Sequence, residues 1–160
     1  DSLAKEAEIK SHKTVSSYVD VLENMFVVKV LNFLELDTKN LNYAKNKKIY
    51  FSDPLIYHIF NNKIYFKEFE INPALIEATV VSHLSRFGET SYWKNGREVD
   101  VLLRINEDIF PFEVKYQNKI SRQDYSGLHH FQKGILITKN FLDIGEKYAA
   151  IPVHLFLSVI

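Results

Sequence analysis

Cysteine is absent from the 160 residues, which excludes disulfides and thiolate metal sites and fits a cytoplasmic chain. An excess of either charge is absent too: 20 Lys and Arg stand against 20 Asp and Glu. No protein-wide basic field therefore exists, and any nucleic-acid contact must rest on a local patch. Apolar runs fall far short of a membrane span and no signal peptide opens the chain, so no membrane partner is expected. A glycine-rich phosphate-binding loop, a nucleophile elbow and a Ser-His-Asp order are all missing. The histidines offer no zinc pattern either, since His129 and His130 are adjacent and His83 stands alone. The first residue is Asp1 and the only Met is Met25, so the chain is expected to be a piece of something longer.

What is present is enough apolar material for a core. Hydrophobic residues make up 46% and charged residues 25%, with 12 Phe and 9 Tyr. Such a chain folds as one domain or two small ones.

The first third reads as helices followed by strands. Leu3–Ile9 suggests a short helix, and Ser11 suits the N-cap of a second one. That second helix puts Val15, Tyr18, Val19 and Leu22 on one face. Phe26–Leu31 looks like a strand, and Asn- and Lys-rich Asp37–Lys48 looks like a loop or wing tip. Together these suggest a helix-turn-helix with a wing over residues 1–62. Lys10, His12, Lys13 and Thr14 open the second helix and are candidates for phosphate contact. A small helical packing module is the plainer alternative. Ile49–Phe51 and Ile64–Phe66 read as further short strands, and Asp53-Pro54 as a helix start.

Residues 63–160 have a different rhythm. Asn72-Pro73 marks a helix start and Gly88 its end, with Leu75, Ile76, Val80, Leu84 and Phe87 as a stripe and Glu77 at its edge. Lys94-Asn95-Gly96-Arg97 is a hairpin signal between a strand at Tyr92-Trp93 and another over Glu98–Ile105. Ile109–Tyr116 returns antiparallel, Ser121 caps a helix containing Tyr125, Leu128 and Phe131, and Gly134–Thr138 and Ala150–Leu157 supply the last strands. The expected fold is α/β in the α+β sense, a mixed sheet flanked by helices.

Charge on the central hairpin points to chemistry. Glu113 and Lys115 interrupt an apolar strand and share one face, and Asp100 lies on the preceding strand. Burying such charge is costly unless it is paired or binds a metal. With Asp100 opposite Lys115, or with a bulge of the same effect, all three groups face the same way. Asp100, Glu113 and the Val114 carbonyl then suit Mg²⁺ or Mn²⁺, which prefer hard oxygens. Lys115 can orient water or balance phosphate charge, and Glu77 supports the site. Lys119 and Arg122, with Gln117, follow closely enough to touch phosphate. The competing reading is a simple Asp100–Lys115 ion pair on a solvated sheet face.

With Glu77, Asp100, Glu113 and Lys115 in this order, residues 64–160 resemble the PD-(D/E)xK nuclease superfamily. Here Val99 stands where that motif usually has proline. Thr14–Glu23, Lys48–Asp53, Leu75–Glu77, Tyr92-Trp93, Gly96–Asp100 and Phe112–Lys115 are similar to the C-terminal region of archaeal-type AAA+ ATPases. The resemblance implies a winged helix followed by a restriction-endonuclease-like domain, attached to an upstream module that would bind ATP. It implies Mg-dependent hydrolysis of DNA phosphodiesters, with DNA, the ATPase module and a second copy of the chain as partners. The alternative is an inert nucleic-acid-binding, regulatory or assembly module.

Overall fold

Nine strands pair into one mixed sheet flanked by helices, in a computed structural model that describes residues 5, 7–9, 11–61 and 71–159. Helix α1 (His12–Asn24) precedes β1 (Val28–Glu35), β2 (Asn40–Asn42) and β3 (Lys48–Phe51). Helices α2 (Leu55–Asn61) and α3 (Pro73–Leu84) lead to the meander β4 (Glu89–Asn95), β5 (Arg97–Ile105) and β6 (Asp108–Lys115). Two 3-10 turns, Arg122–Tyr125 and Leu128–His130, connect to β7 (Gly134–Thr138), β8 (Asp143–Ile144), β9 (Tyr148–Pro152) and α4 (Val153–Val159). The strand order is β2-β1-β4-β5-β6-β7-β9-β8, with β3 attached to β1. Strands β7 and β9 run parallel to β6 and to each other, while β4, β5 and β6 alternate in direction.

Local signals explain most of these elements. Asn72 caps α3 by accepting the Leu75 N–H at 2.9 Å, and Pro73 occupies a first-turn position where no N–H is needed. The helix buries Leu75, Ala78, Val80, Val81 and Leu84 and stops there, leaving Phe87 beyond it and 45% exposed. Gly96, at φ +68°, makes the turn between β4 and β5.

The sheet buries both faces. On one, Val101, Leu103, Phe112, Val114 and Ile137 pack against Val80, Val81 and Leu84 of α3 and Val153 and Phe156 of α4. On the other, Trp93, Val99, Leu102 and Leu136 pack against Leu128 from the second 3-10 turn. Each fully buried aliphatic side chain here stabilises the fold by roughly 1.5–3 kcal/mol.

Two expectations change. The last strand is shorter than Ala150–Leu157: β9 ends at Pro152, which has no N–H to extend a ladder, and the chain turns into α4. Val153 and Phe156, three apart, then point into the core as helical neighbours. The helix expected after Ser121 is two 3-10 turns, because the segment bends to bring Gly127 against β5. Strand β1 pairs in parallel with β4, at Asn32↔Ser91 and Phe33↔Tyr92.

At the N-terminus, Ser11 Oγ accepts the Thr14 N–H at 3.4 Å, as a cap should. Helix α1 buries none of its residues, and Tyr18 is 58% exposed. Leu3, Ala4 and Glu6 of the expected first helix, Lys10 and the Ile64–Phe66 run lie outside the described residues, while Ala7 and Glu8 form a turn with Glu8 at φ 55°, so the helix expected over Leu3–Ile9 does not reach Ile9. Among the described residues no helix is long and apolar enough to cross a membrane.

Gly127 has ordinary helical dihedrals, yet a Cβ there would sit 2.2 Å from the Glu98 carbonyl oxygen. Gly96 has nothing within 4 Å of such a Cβ and suffers only its positive φ. Gly127→Ala should therefore cost about 3 kcal/mol through backbone displacement. Gly96→Ala should cost about 1 kcal/mol. Urea unfolding of both variants checks this; equal, mild losses would show that β5 does not depend on the close approach.

Candidate active site

The chemistry-bearing residues gather where β5 and β6 separate. Their ladder runs from Ile105↔Asp108 to Val101↔Phe112 and no further. Extended by one step, this register sets Asp100 beside Glu113, two residues away from the expected pairing with Lys115. Beyond the ladder, the Val114 N–H donates to Asp100 Oδ2 at 3.0 Å instead of to a strand carbonyl. A strand residue's N–H and C=O point to the same side, so the Val114 carbonyl also faces the gap.

A β-bulge re-aims Asp100. Opposite β4, pairing jumps from Ser91↔Leu102 to Trp93↔Val99, so β5 carries one extra residue at Asp100-Val101. The bulge turns Asp100 toward α3, where Lys48 Nζ meets its Oδ1 at 2.9 Å. The same ammonium reaches Glu98 Oε1 at 2.5 Å and Glu77 Oε1 at 3.2 Å. It lies 5.7 Å from the centre of the Tyr92 ring. The Tyr50 hydroxyl donates to Glu77 Oε1 at 2.6 Å. Lys94 adds a second, more exposed cation at Glu98, 2.8 Å away.

Glu113 and Lys115 approach from the other side. Phe112 and Val114 pack toward α3 and α4, so alternation directs Glu113 to the opposite face, beside Leu136 in the β6–β7 ladder. Lys115 Nζ donates to Glu113 Oε1. The acids and Lys115 thus do not share one sheet face as expected; the bulge and the alternation bring them to the gap from two sides.

Electrostatics differ across the gap. Burial alone would lower the Lys48 pKa, but Asp100 and Glu77 outweigh it and hold the ammonium charged. Burial raises the Tyr50 hydroxyl, keeping it a donor. Burial also works against the Glu98 charge, yet hydrogen bonds from Lys48 and Lys94 leave its pKa lowered. Glu113 goes the other way. Burial and then the Asp100 charge push it up to about 7, against the pull of Lys115. Lys115 also loses hydration, but Glu113 more than compensates and raises it. The side chain of Glu113 is 6% exposed against 32% for Lys115, so the carboxyl is the partner that gives up charge first.

Glu113 Oε2 is buried with no hydrogen-bond partner, an expensive state for a carboxylate. Four carboxylates, Glu77, Glu98, Asp100 and Glu113, face two part-buried ammonium groups, Lys48 and Lys115. The orphaned Glu113 oxygen, with Asp100 and the Val114 carbonyl nearby, offers the hard oxygen ligands that a divalent cation takes. Asp100, Glu113 and the Val114 carbonyl are the groups that would hold it.

Residues 73–156 match the family described as a domain of unknown function, DUF4143. The chain belongs to the DUF4143 family. It matches no curated protein and no solved structure. DUF4143 is often found in AAA-ATPase-associated C-terminal regions. The matched DUF4143 segment carries Glu77, Glu98, Asp100, Glu113 and Lys115, while Lys48 and Tyr50 precede it.

The remaining candidate residues stand apart from this cluster. His12, Lys13 and Thr14 sit on the first turn of α1. Lys119 and Arg122 are exposed in the segment after β6, where the Lys119 carbonyl accepts from Gln117 Nε2 at 2.9 Å. Sequence reasoning missed Lys48, Tyr50 and Glu98. The available signal was alternation: Lys48 and Tyr50 face the same way in Lys48–Phe51, as Glu113 and Lys115 do in β6.

Because the folded-state pKa of Glu113 lies above its ordinary value of 4.5, its neutral form stabilises the fold at low pH. That stability is complete below about 4.5 and is lost as pH rises through about 7. Glu113→Gln should therefore gain on the wild type by on the order of 1–3 kcal/mol between pH 5 and pH 8. Equilibrium unfolding at both pH values measures this. Parallel pH dependences for the two proteins would contradict the assignment.

Proposed function

We propose that the β5–β6 gap is a metal-dependent site for hydrolysing DNA phosphodiesters, in a nuclease-like domain attached to an ATPase. The observation that carries this reading is the buried, unpartnered Glu113 Oε2 beside Asp100. The order α3-β4-β5-β6-β7, with β7 parallel to β6, supports a restriction-endonuclease-like core. Bound Mg²⁺ would polarise the scissile phosphate and activate a water. Asp100, Glu113 and the Val114 carbonyl hold the ion in this reading. Lys115, part-exposed and fixed by Glu113, stands where it can orient water or balance charge on the phosphate. Glu77 acts through its neighbours, sharing Lys48 with Asp100. Lys119 and Arg122, exposed in the segment after Lys115, are candidates for the DNA backbone, with Lys10, His12, Lys13 and Thr14 as a second patch. The association with AAA ATPases supports an upstream module that binds ATP in the cytoplasm.

A second reading rests on Lys48. An ammonium already bound by three carboxylates suits an inert nuclease fold, kept for nucleic-acid binding, regulation or assembly of the ATPase.

Cleavage of plasmid, single-stranded and branched DNA with Mg²⁺ or Mn²⁺ tests the first reading. Asp100→Ala and Lys115→Ala should each slow cleavage by about 100-fold or more. Undiminished activity in both variants would remove the site from the reaction. Salt-dependent DNA binding without cleavage by the wild type would establish the second reading.

A further inference from the structure

Lys48 holds a position that the proposed chemistry does not require. It enters from β3, which among the described residues pairs with β1 alone, and crosses to the acids of α3 and β5. An ammonium has three N–H donors, and here each has its own carboxylate: Asp100 at 2.9 Å, Glu98 at 2.5 Å and Glu77 at 3.2 Å. Its side chain is 20% exposed, so solvent does little to replace those partners. Tyr50, two residues on, fixes Glu77 from the same face of β3. Lys48 is thus coordinated much as a metal ion would be, and by the carboxylate that the metal reading needs most.

We infer that Lys48 is an internal counter-cation that competes with a divalent metal for Asp100, so that metal binding requires Lys48 to withdraw. The inference rests on the metal reading of the gap. Magnesium binds oxygen at about 2.1 Å. An ammonium 2.9 Å from Asp100 Oδ1 would then lie against the ion as a like charge. The other Asp100 oxygen already accepts the Val114 N–H, so a metal at either oxygen must share it with a donor already in place. Glu113 Oε2, buried and unpartnered, marks where cationic charge is still missing while Lys48 is in place. With Lys48 in, the carboxylates of Glu77, Glu98 and Asp100 are satisfied and the gap is poised; with Lys48 out, they demand a replacement cation. Any partner that draws β3 away from α3 would raise the affinity of the site for metal.

Calorimetric titration of Mn²⁺ into the full chain tests this, with wild type, Lys48→Met and Lys48→Arg compared. Lys48→Met should bind Mn²⁺ about tenfold more tightly, a coupling of ordinary size for linked sites. Lys48→Arg, which keeps the charge, should bind no better than wild type. Lys48→Met should also melt lower without metal and regain more stability from Mn²⁺ than wild type does. Adding Asp100→Asn to Lys48→Met should abolish the gain in affinity. Equal affinity in wild type and Lys48→Met would overturn the inference and leave the metal reading standing. No Mn²⁺ binding by any variant would overturn both. If Lys48→Met does not fold, Lys48→Met with Glu98→Gln, compared with Glu98→Gln alone, makes the same measurement with one acid fewer.

Discussion

The hydrogen bond from the Val114 N–H to Asp100 Oδ2 is the constraint on which the site depends. It replaces a ladder bond at the point where β5 and β6 part, and so lets the strands separate without stranding a buried N–H. Separation needs a wedge and a redirected strand. Gly127 supplies the wedge, pressed against the Glu98 carbonyl from the 3-10 segment. The bulge at Asp100-Val101 supplies the redirection.

Charge then sets what the gap can do. A carboxylate in a dry place must be hydrogen-bonded, paired or neutral. Asp100 is hydrogen-bonded and paired, Glu77 and Glu98 are paired, and Glu113 is driven toward neutrality. The difference follows from supply. Lys48 spends all three donors on the α3 side of the sheet, while Lys115 reaches one oxygen of Glu113. A saturated half and a deficient half therefore face each other across the gap.

Much of this was legible in the sequence, and the parts that were not share a physical cause. The α3 cap at Asn72-Pro73, the turn at Gly96 and the charged interruption Glu113-Val114-Lys115 are local patterns with local explanations. Lys48 is 52 residues from Asp100 and 29 from Glu77, separations over which no periodicity speaks. It also sits at the end of an Asn- and Lys-rich stretch that reads as solvated loop. A bulge was an open alternative at this hairpin, but its place and direction were not legible, because one extra residue leaves composition and alternation almost unchanged while moving Asp100 to another face. At Pro152 the error was one of period: Val153–Leu157 is apolar enough for a strand, and only core packing at Val153 and Phe156 decides for a helix.

The boundary of the DUF4143 match at residue 73 acquires a physical meaning from the same cluster. Backbone pairing already ties the preceding residues to the matched segment, through β1 against β4. Electrostatics ties them more selectively. Glu77, Glu98 and Asp100 lie inside the segment, and the ammonium that balances them lies outside it on β3. Without β3, three carboxylates would converge with only the exposed Lys94 to answer them, a state that either a divalent ion or local unfolding must relieve. The matched segment is therefore not electrostatically self-sufficient in this chain. Its acids take their balancing cation, Lys48, from β3 outside the matched segment.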